Sequence, residues 1–137
     1  AVGDVDGDGR RDVVVTNPTD RQVGWYQKPA TATNAWTGYQ LTKYTADPPT
    51  DVKLANVNSD AQLEAIVATQ TAGSLRWFGP VGSPTLGWGE NNLRDLTETI
   101  GRTAVGDIDG DGRPDVIVPL QGATSAQDSI AWFENPL

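Results

Sequence analysis

The chain of 137 residues contains no cysteine, no histidine and no methionine. Without cysteine there is no disulfide, no thiolate metal site and no cysteine nucleophile. Without histidine the commonest metal ligand and the commonest general base are both missing. The lack of any methionine, an initiator included, leads us to expect a processed product or a piece of something longer. No secretory leader is visible, although a mature chain would have lost one. No apolar run approaches the ~20 residues of a membrane span. The ten basic residues are scattered, so there is no phosphate-tracking stripe and no nucleic-acid partner is expected. The length suits one ordinary domain.

Acid is what the chain has, and it is concentrated. Formal net charge is −8, and ten of the 18 acidic residues lie in three short stretches. The first runs Asp4-Val5-Asp6-Gly7-Asp8-Gly9-Arg10-Arg11-Asp12, and it returns as Asp107-Ile108-Asp109-Gly110-Asp111-Gly112-Arg113-Pro114-Asp115. A weaker copy, Asn56-Val57-Asn58-Ser59-Asp60-Ala61-Gln62-Leu63-Glu64, lies between them. Four carboxylates in nine residues repel one another unless a cation sits among them. Oxygen ligands at alternate positions suit a hard cation such as calcium, which takes about 6–8 oxygens. We therefore expect Asp4, Asp6, Asp8 and Asp12 to ligate through side chains in the first loop, with Arg10 offering its carbonyl and its side chain pointing away. Asp107, Asp109, Asp111, Arg113 and Asp115 repeat this arrangement in the third. The middle loop keeps oxygens at the same places (Asn56, Asn58, Asp60, the Gln62 carbonyl, Glu64) but has two formal charges instead of four, and Ala61 replaces a turn glycine. Weaker binding, or none, is expected there. Two filled sites would bring the net charge from −8 to −4.

An EF-hand begins with a similar run but needs a bidentate Glu at loop position 12, between two helices. Position 12 here is Val15 or Val118, and each loop leads into a β-branched run that reads as strand.

The loops recur with a period of about 52 residues. Trp25-Tyr26, Trp77-Phe78 and Trp132-Phe133 sit at matching places, Trp36 and Trp88 form a further pair 52 apart, and residues 1–15 and 104–118 share 12 of 15 identities. Each unit reads as short strands. The first is 1–3, 52–55 or 103–106. The second, apolar enough to be buried on both faces, is 13–16, 65–69 or 116–119. The third is 22–26, 74–78 or 129–133. A fourth is expected at 38–45 and at 92–100. Four strands per repeat of this length is the arithmetic of a β-propeller blade. The fold class expected is all-β, with blades of four antiparallel strands: repeat one over 1–52, repeat two over 53–103 and a partial third over 104–137. Recurring Trp residues are expected to pack between blades. Trp36 and Trp88, near a loop, are the candidates for a ligand-binding platform.

Asp-x-Asp-Gly-Asp-Gly-x-x-Asp, then a β-branched strand, then Trp-Tyr or Trp-Phe, resembles the FG-GAP/VCBS repeat family, the calcium-binding blades of integrin α-chains and of many secreted bacterial proteins. The resemblance implies a metal loop between the first and second strands of each blade. It carries over onto Asp4, Asp6, Asp8, Arg10 and Asp12, and onto Asp107, Asp109, Asp111, Arg113 and Asp115. Asn56, Asn58 and Glu64 depart from the acidic pattern.

About 2⅔ blades are fewer than the four to eight of a propeller. Both ends are therefore expected to expose an apolar blade face and unpaired strand edges. The remainder of a larger propeller would cover them, as would identical chains closing a ring (three copies make eight blades) or stacking into a filament. Calcium loops argue for an extracellular or cell-surface setting, because resting cytosolic calcium is too scarce for weak sites. The function expected is a calcium-stabilised module that engages protein or glycan. A purely structural subunit and a polysaccharide-active enzyme are the alternatives. No catalytic residue is expected: Asp20, Asp47, Asp51, Glu90, Asp95, Glu98, Asp128 and Glu134 lie outside the loops, and no pair among them stands out as the two carboxylates a hydrolase needs.

Overall fold

The computed structural model describes residues 1–70, 73–122, 124 and 127–135. These residues are all-β and form three four-stranded antiparallel sheets that succeed one another as open propeller blades. The first sheet runs β1 (Val2–Gly3), β2 (Asp12–Asn17), β3 (Gln22–Gln27), β4 (Thr37–Lys43) in chain order. The second runs β5 (Pro49–Ala55), β6 (Glu64–Thr69), β7 (Ser74–Pro80), β8 (Trp88–Asp95). The third contains β9 (Thr99–Ile100), β10 (Ala104–Gly106), β11 (Asp115–Gln121) and β12 (Ser129–Phe133).

β9 and β10 lie on the same edge of β11, one against Leu120 and Gln121, the other against 115–117. Together they are the counterpart of β5, interrupted at 101–103. The third sheet thus has four strands in three strand positions. The expected strand over 92–100 is in fact two: β8 ends at Asp95, and Thr99–Ile100 crosses to the next sheet. An apolar run does not reveal which sheet its last residues join.

The alternation of a pleated strand sorts each repeat into two faces. Register pairs Val13 with Tyr26, Ala65 with Phe78 and Val116 with Phe133, so the second and third strand positions keep one register in all three sheets. One face of each sheet looks toward the next blade and the other toward the preceding one. Val5, Val14, Val23 and Trp25 pack forward onto Val52, Ala65, Val67 and Phe78 of the second sheet. Val57, Ile66 and Leu75 pack forward onto Val116 and Val118 of the third. β6 lies between these two cores, and all six of its residues are buried. Ile66 and Val67, fully buried there, each contribute about 1.5–3 kcal/mol relative to exposure. β2 and β11, at the ends of the stack, each bury one face more completely than the other.

The aromatic pairs divide between the faces. Trp25 points forward, stacks on Tyr39 with centroids 4.6 Å apart and meets Trp88 of the second blade edge-on at 6.5 Å. Its neighbour in sequence, Tyr26, points the other way and is exposed.

Candidate metal centres

Each acidic loop joins the first strand position of its sheet to the second, so its first and last residues are held by paired strands. Gly7 and Gly9 take φ of 75° and 83°, and Gly110 and Gly112 take 83° and 87°. This left-handed backbone, open to glycine without a Cβ penalty, curls the loop so that its N–H groups point inward. Asp8 and Gly9 donate backbone N–H to the Asp4 carboxylate at 3.1 and 2.8 Å. Gly110 and Gly112 do the same for Asp107 at 2.7 and 2.9 Å.

The result is a gathering of carboxylates. Asp4, Asp6 and Asp8 each bring an oxygen to within 4.8 Å of the others, and so do Asp107, Asp109 and Asp115. The loops therefore do not assemble the same three members. In the third loop Asp111 is turned toward Arg113, whose Nε donates to it at 2.7 Å. The Arg113 backbone N–H, and then its guanidinium, hold the Asp111 carboxyl below the usual carboxylate range. Arg10 likewise pairs with Asp8 and donates from Nε to the Lys28 carbonyl at 3.1 Å. The expectation that these arginine side chains point away from the loop is corrected: crowded carboxylates draw in the nearest cation, and the guanidinium is two residues off.

The last carboxylate of each loop is the buried one. Asp12 accepts from Val5 N–H at 3.2 Å through one oxygen and from Lys28 N–H at 2.8 Å through the other. Asp115 repeats this with Ile108 N–H and Asn135 N–H, each at 2.9 Å. Burial pushes the Asp115 carboxyl up, but these two N–H groups and the Trp132 side chain outweigh it and leave it below the usual range. Asp12 and Asp115 thus tie the loop to the end of the third strand. Asp6 also accepts from the Gln27 side chain, a contact that spacing within the loop did not signal.

The middle loop keeps the plan with one partner missing. Glu64 takes the place of Asp12, and Val57 N–H donates to its Oε2 at 2.6 Å. Its Oε1 is buried with no hydrogen-bond partner among the described residues. The residue that should supply the second donor, two beyond Phe78 as Lys28 is two beyond Tyr26, is Pro80. Proline has no N–H. Burial raises the Glu64 carboxyl accordingly. Asn56 Oδ1, at the first ligand position, is also buried without a partner among the described residues. Ser59 takes the left-handed conformation (φ 62°) that Gly7 and Gly110 take, while Ala61 does not share that of Gly9 and Gly112. Asn58 and Gln62 are occupied with Asp60: the Asn58 side-chain amide donates to its carboxylate at 3.0 Å and Gln62 N–H does so at 2.6 Å.

The donor set gathered in the outer loops, all carboxylate oxygen, fits a hard divalent cation. In the middle loop two unpartnered oxygens fit such an ion, with less charge to hold it. Trp36 and Trp88 part company. Trp36 is exposed, whereas Trp88 is half-buried against Trp25 and donates from Nε1 to the Pro84 carbonyl at 3.1 Å.

A sequence model of the FG-GAP-like repeat matches residues 4–67 and again 56–118. Each match starts at the first residue of one loop and runs into the strand after the next. The chain belongs to the FG-GAP-like repeat family. Neither a curated protein nor a solved structure matches it.

Proposed function

We propose that this chain is a calcium-binding, calcium-stabilised extracellular propeller module that engages a protein or glycan partner. The carrying observation is the gathering of three carboxylates, all within 4.8 Å, in two loops that occupy equivalent places in different blades. Asp4, Asp6, Asp8 and Asp12, and Asp107, Asp109, Asp111 and Asp115, would hold the ions, with the Arg10 and Arg113 carbonyls. Bound calcium would neutralise the loop and fix the strand ends it joins. The extracellular setting rests on the calcium reading and on where repeats of this family typically occur.

A place for a partner is the groove between the second and third sheets. Trp77, Asn91, Asn92, Arg94, Phe133 and Glu134 line a cavity of about 290 Å³. The Arg94 guanidinium sits 5.2 Å over the Phe133 ring. Flat aromatic surface beside amide, guanidinium and carboxylate groups suits a sugar or a peptide. A non-catalytic role is supported by how carboxylates outside the loops are used: Asp51 is bound to Lys53 and Thr103, and Glu90 and Asp95 to Arg76.

Calorimetric titration with calcium and then magnesium tests the metal reading. Two equivalents of calcium should bind, with magnesium much weaker. Absence of any calcium-dependent heat or change in stability would sink it.

A further inference from the structure

A side chain from outside the first acidic loop reaches into it. Gln27, the last residue of β3, donates from its side-chain amide to the Asp6 carboxylate. Asp6 is one of the three carboxylates gathered there. The place of Gln27 is fixed on both sides. Tyr26 before it is paired with Val13 of β2, and Lys28 after it donates its backbone N–H to Asp12 at 2.8 Å. A side chain standing between those two anchors is held against the loop.

The third blade has the same two anchors. Phe133 is paired with Val116 of β11, and Asn135 donates its backbone N–H to Asp115 at 2.9 Å. The residue between them is Glu134. Its charge is felt in the loop: Asp111 first, then Asp109 and Glu134, favour the charged guanidinium of Arg113 and raise its pKa above the ordinary value. In the second blade the residue between Phe78 and Pro80 is Gly79. A Cβ at that place would lie 3.1 Å from the Trp77 ring and 3.6 Å from Cγ of Glu64, the last residue of the middle loop. The three blades thus aim one position at the loop. They fill it with an amide, with no side chain and with a carboxylate.

An amide and a carboxylate of equal size act differently there. Gln27 donates, and so orients Asp6; outer partners that orient a ligand are worth about 10–100-fold in metal affinity. Ionised Glu134 accepts only. Beside Asp107, Asp109, Asp111 and Asp115 it is a fifth carboxylate, repelled by the others until a cation joins them. With a cation it adds negative charge, the property by which oxygen sites tune their affinity for calcium.

We propose that Glu134 is a member of the third metal centre, adding its carboxylate to those of the loop, and that Gln27 is the positioning residue of the first. Neither lies in a nine-residue acidic stretch. The assignment rests on the calcium reading of the outer loops and extends each site to the end of the third strand position. The middle blade, with Gly79, has no such contribution.

Calcium affinity measured one outer loop at a time, by competition with a chelating dye, tests it. Asp4→Asn leaves the third loop to report, and Asp107→Asn leaves the first. In the Asp4→Asn chain, Glu134→Gln should weaken calcium binding about tenfold or more. In the Asp107→Asn chain, Gln27→Glu should tighten it by a similar factor, and Gln27→Ala should weaken it. Both exchanges between Gln and Glu keep the size of the side chain. Thermal unfolding in EGTA gives a second readout. There Glu134→Gln should melt no lower than its parent and Gln27→Glu should melt lower, because repulsion goes unanswered without the ion. A merely structural role would shift stability the same way in calcium and in EGTA. A wild-type chain that takes up no calcium would sink the metal reading and this assignment together. Calcium bound by the wild type, but held as tightly after Glu134→Gln as before, or weakened by Gln27→Glu, would overturn this assignment alone.

Discussion

Thr103 donates both its backbone N–H and its hydroxyl to one oxygen of Asp51, at 2.7 and 2.9 Å, across a separation of 52 residues, one repeat. The pair pins the first strand of the second blade to the break between β9 and β10 of the third. Lys53 Nζ reaches the same carboxylate at 2.7 Å. Burial pushes the Asp51 carboxyl up, but Lys53 and Thr103 together outweigh it and hold it below its ordinary value of 3.8. A carboxylate whose folded pKa is depressed adds stability that is present above its unfolded pKa and is lost as pH falls through the folded one. Asp51→Asn keeps an acceptor but not the charge, and should cost about 1–2 kcal/mol at pH 7. Denaturant unfolding in EGTA should show that difference shrinking as pH is lowered from 5 through the range below 3.8. A difference unchanged with pH would mean that the charge contributes nothing.

Pro80 leaves Glu64 Oε1 without the donor that Lys28 and Asn135 supply to Asp12 and Asp115. Pro80→Ala restores an N–H at that place. Losing proline frees the unfolded chain and costs about 0.4–1 kcal/mol. A hydrogen bond to a buried carboxylate is worth about 1.5–3 kcal/mol. The bond should win, giving a net gain of about 1 kcal/mol in EGTA, measured by urea unfolding. A loss would show that the strand end cannot turn its N–H toward Glu64.

Much of the blade plan was legible from the sequence because register, loop and aromatic pair repeat together. Val13, Ala65 and Val116 fall at one place in their sheets as their spacing implies. The orphaned oxygen was not legible. It depends on Pro80 standing one residue beyond the place opposite Glu64 across β6 and β7, and neither residue is unusual on its own. The division of each aromatic pair between opposite faces stems from the two-residue period of a strand. Which face meets which blade needed the stack. The arginine side chains were misread for a related reason: alternation within the loop placed the carbonyl, but attraction between guanidinium and carboxylate placed the side chain.

Trp25 is fully buried, and its indole N–H has no partner among the described residues. An unmet buried donor costs about 1–3 kcal/mol. Trp25→Phe removes that donor and keeps a ring against Tyr39, at the expense of a small cavity. The two effects oppose each other, so a net change within about 1 kcal/mol is expected. Trp25→Ala has no such compensation and should cost about 3–5 kcal/mol. Thermal unfolding of both variants decides the point. A Phe variant as damaged as the Ala variant would mean that the indole N–H is satisfied in solution, by water.

The calcium reading makes a prediction that separates the three loops. An ion that binds only the folded chain stabilises it by about 2.7 kcal/mol at a concentration 100 times its dissociation constant. Two such sites give about 5 kcal/mol, or about 10–20 °C in Tm for a domain of this size. Excess EGTA should remove that whole increment. Asp4→Asn and Asp107→Asn each take one charge from a gathered set and keep one of the two acceptor oxygens that the loop N–H groups use. In EGTA these variants should lie within about 1 kcal/mol of the wild type, because the fall in carboxylate repulsion offsets the one loop hydrogen bond each loses. In calcium each should lose about half of the increment. The double variant then isolates the middle loop: any calcium response left belongs to Asn56, Asn58, Asp60, Gln62 and Glu64, and with half the formal charge it should be under about 1 kcal/mol. A Tm that EGTA does not move would remove calcium from the account of this fold. A double variant with the full wild-type response would place the ion in the middle loop, where Asn56 and Glu64 hold buried oxygens without partners.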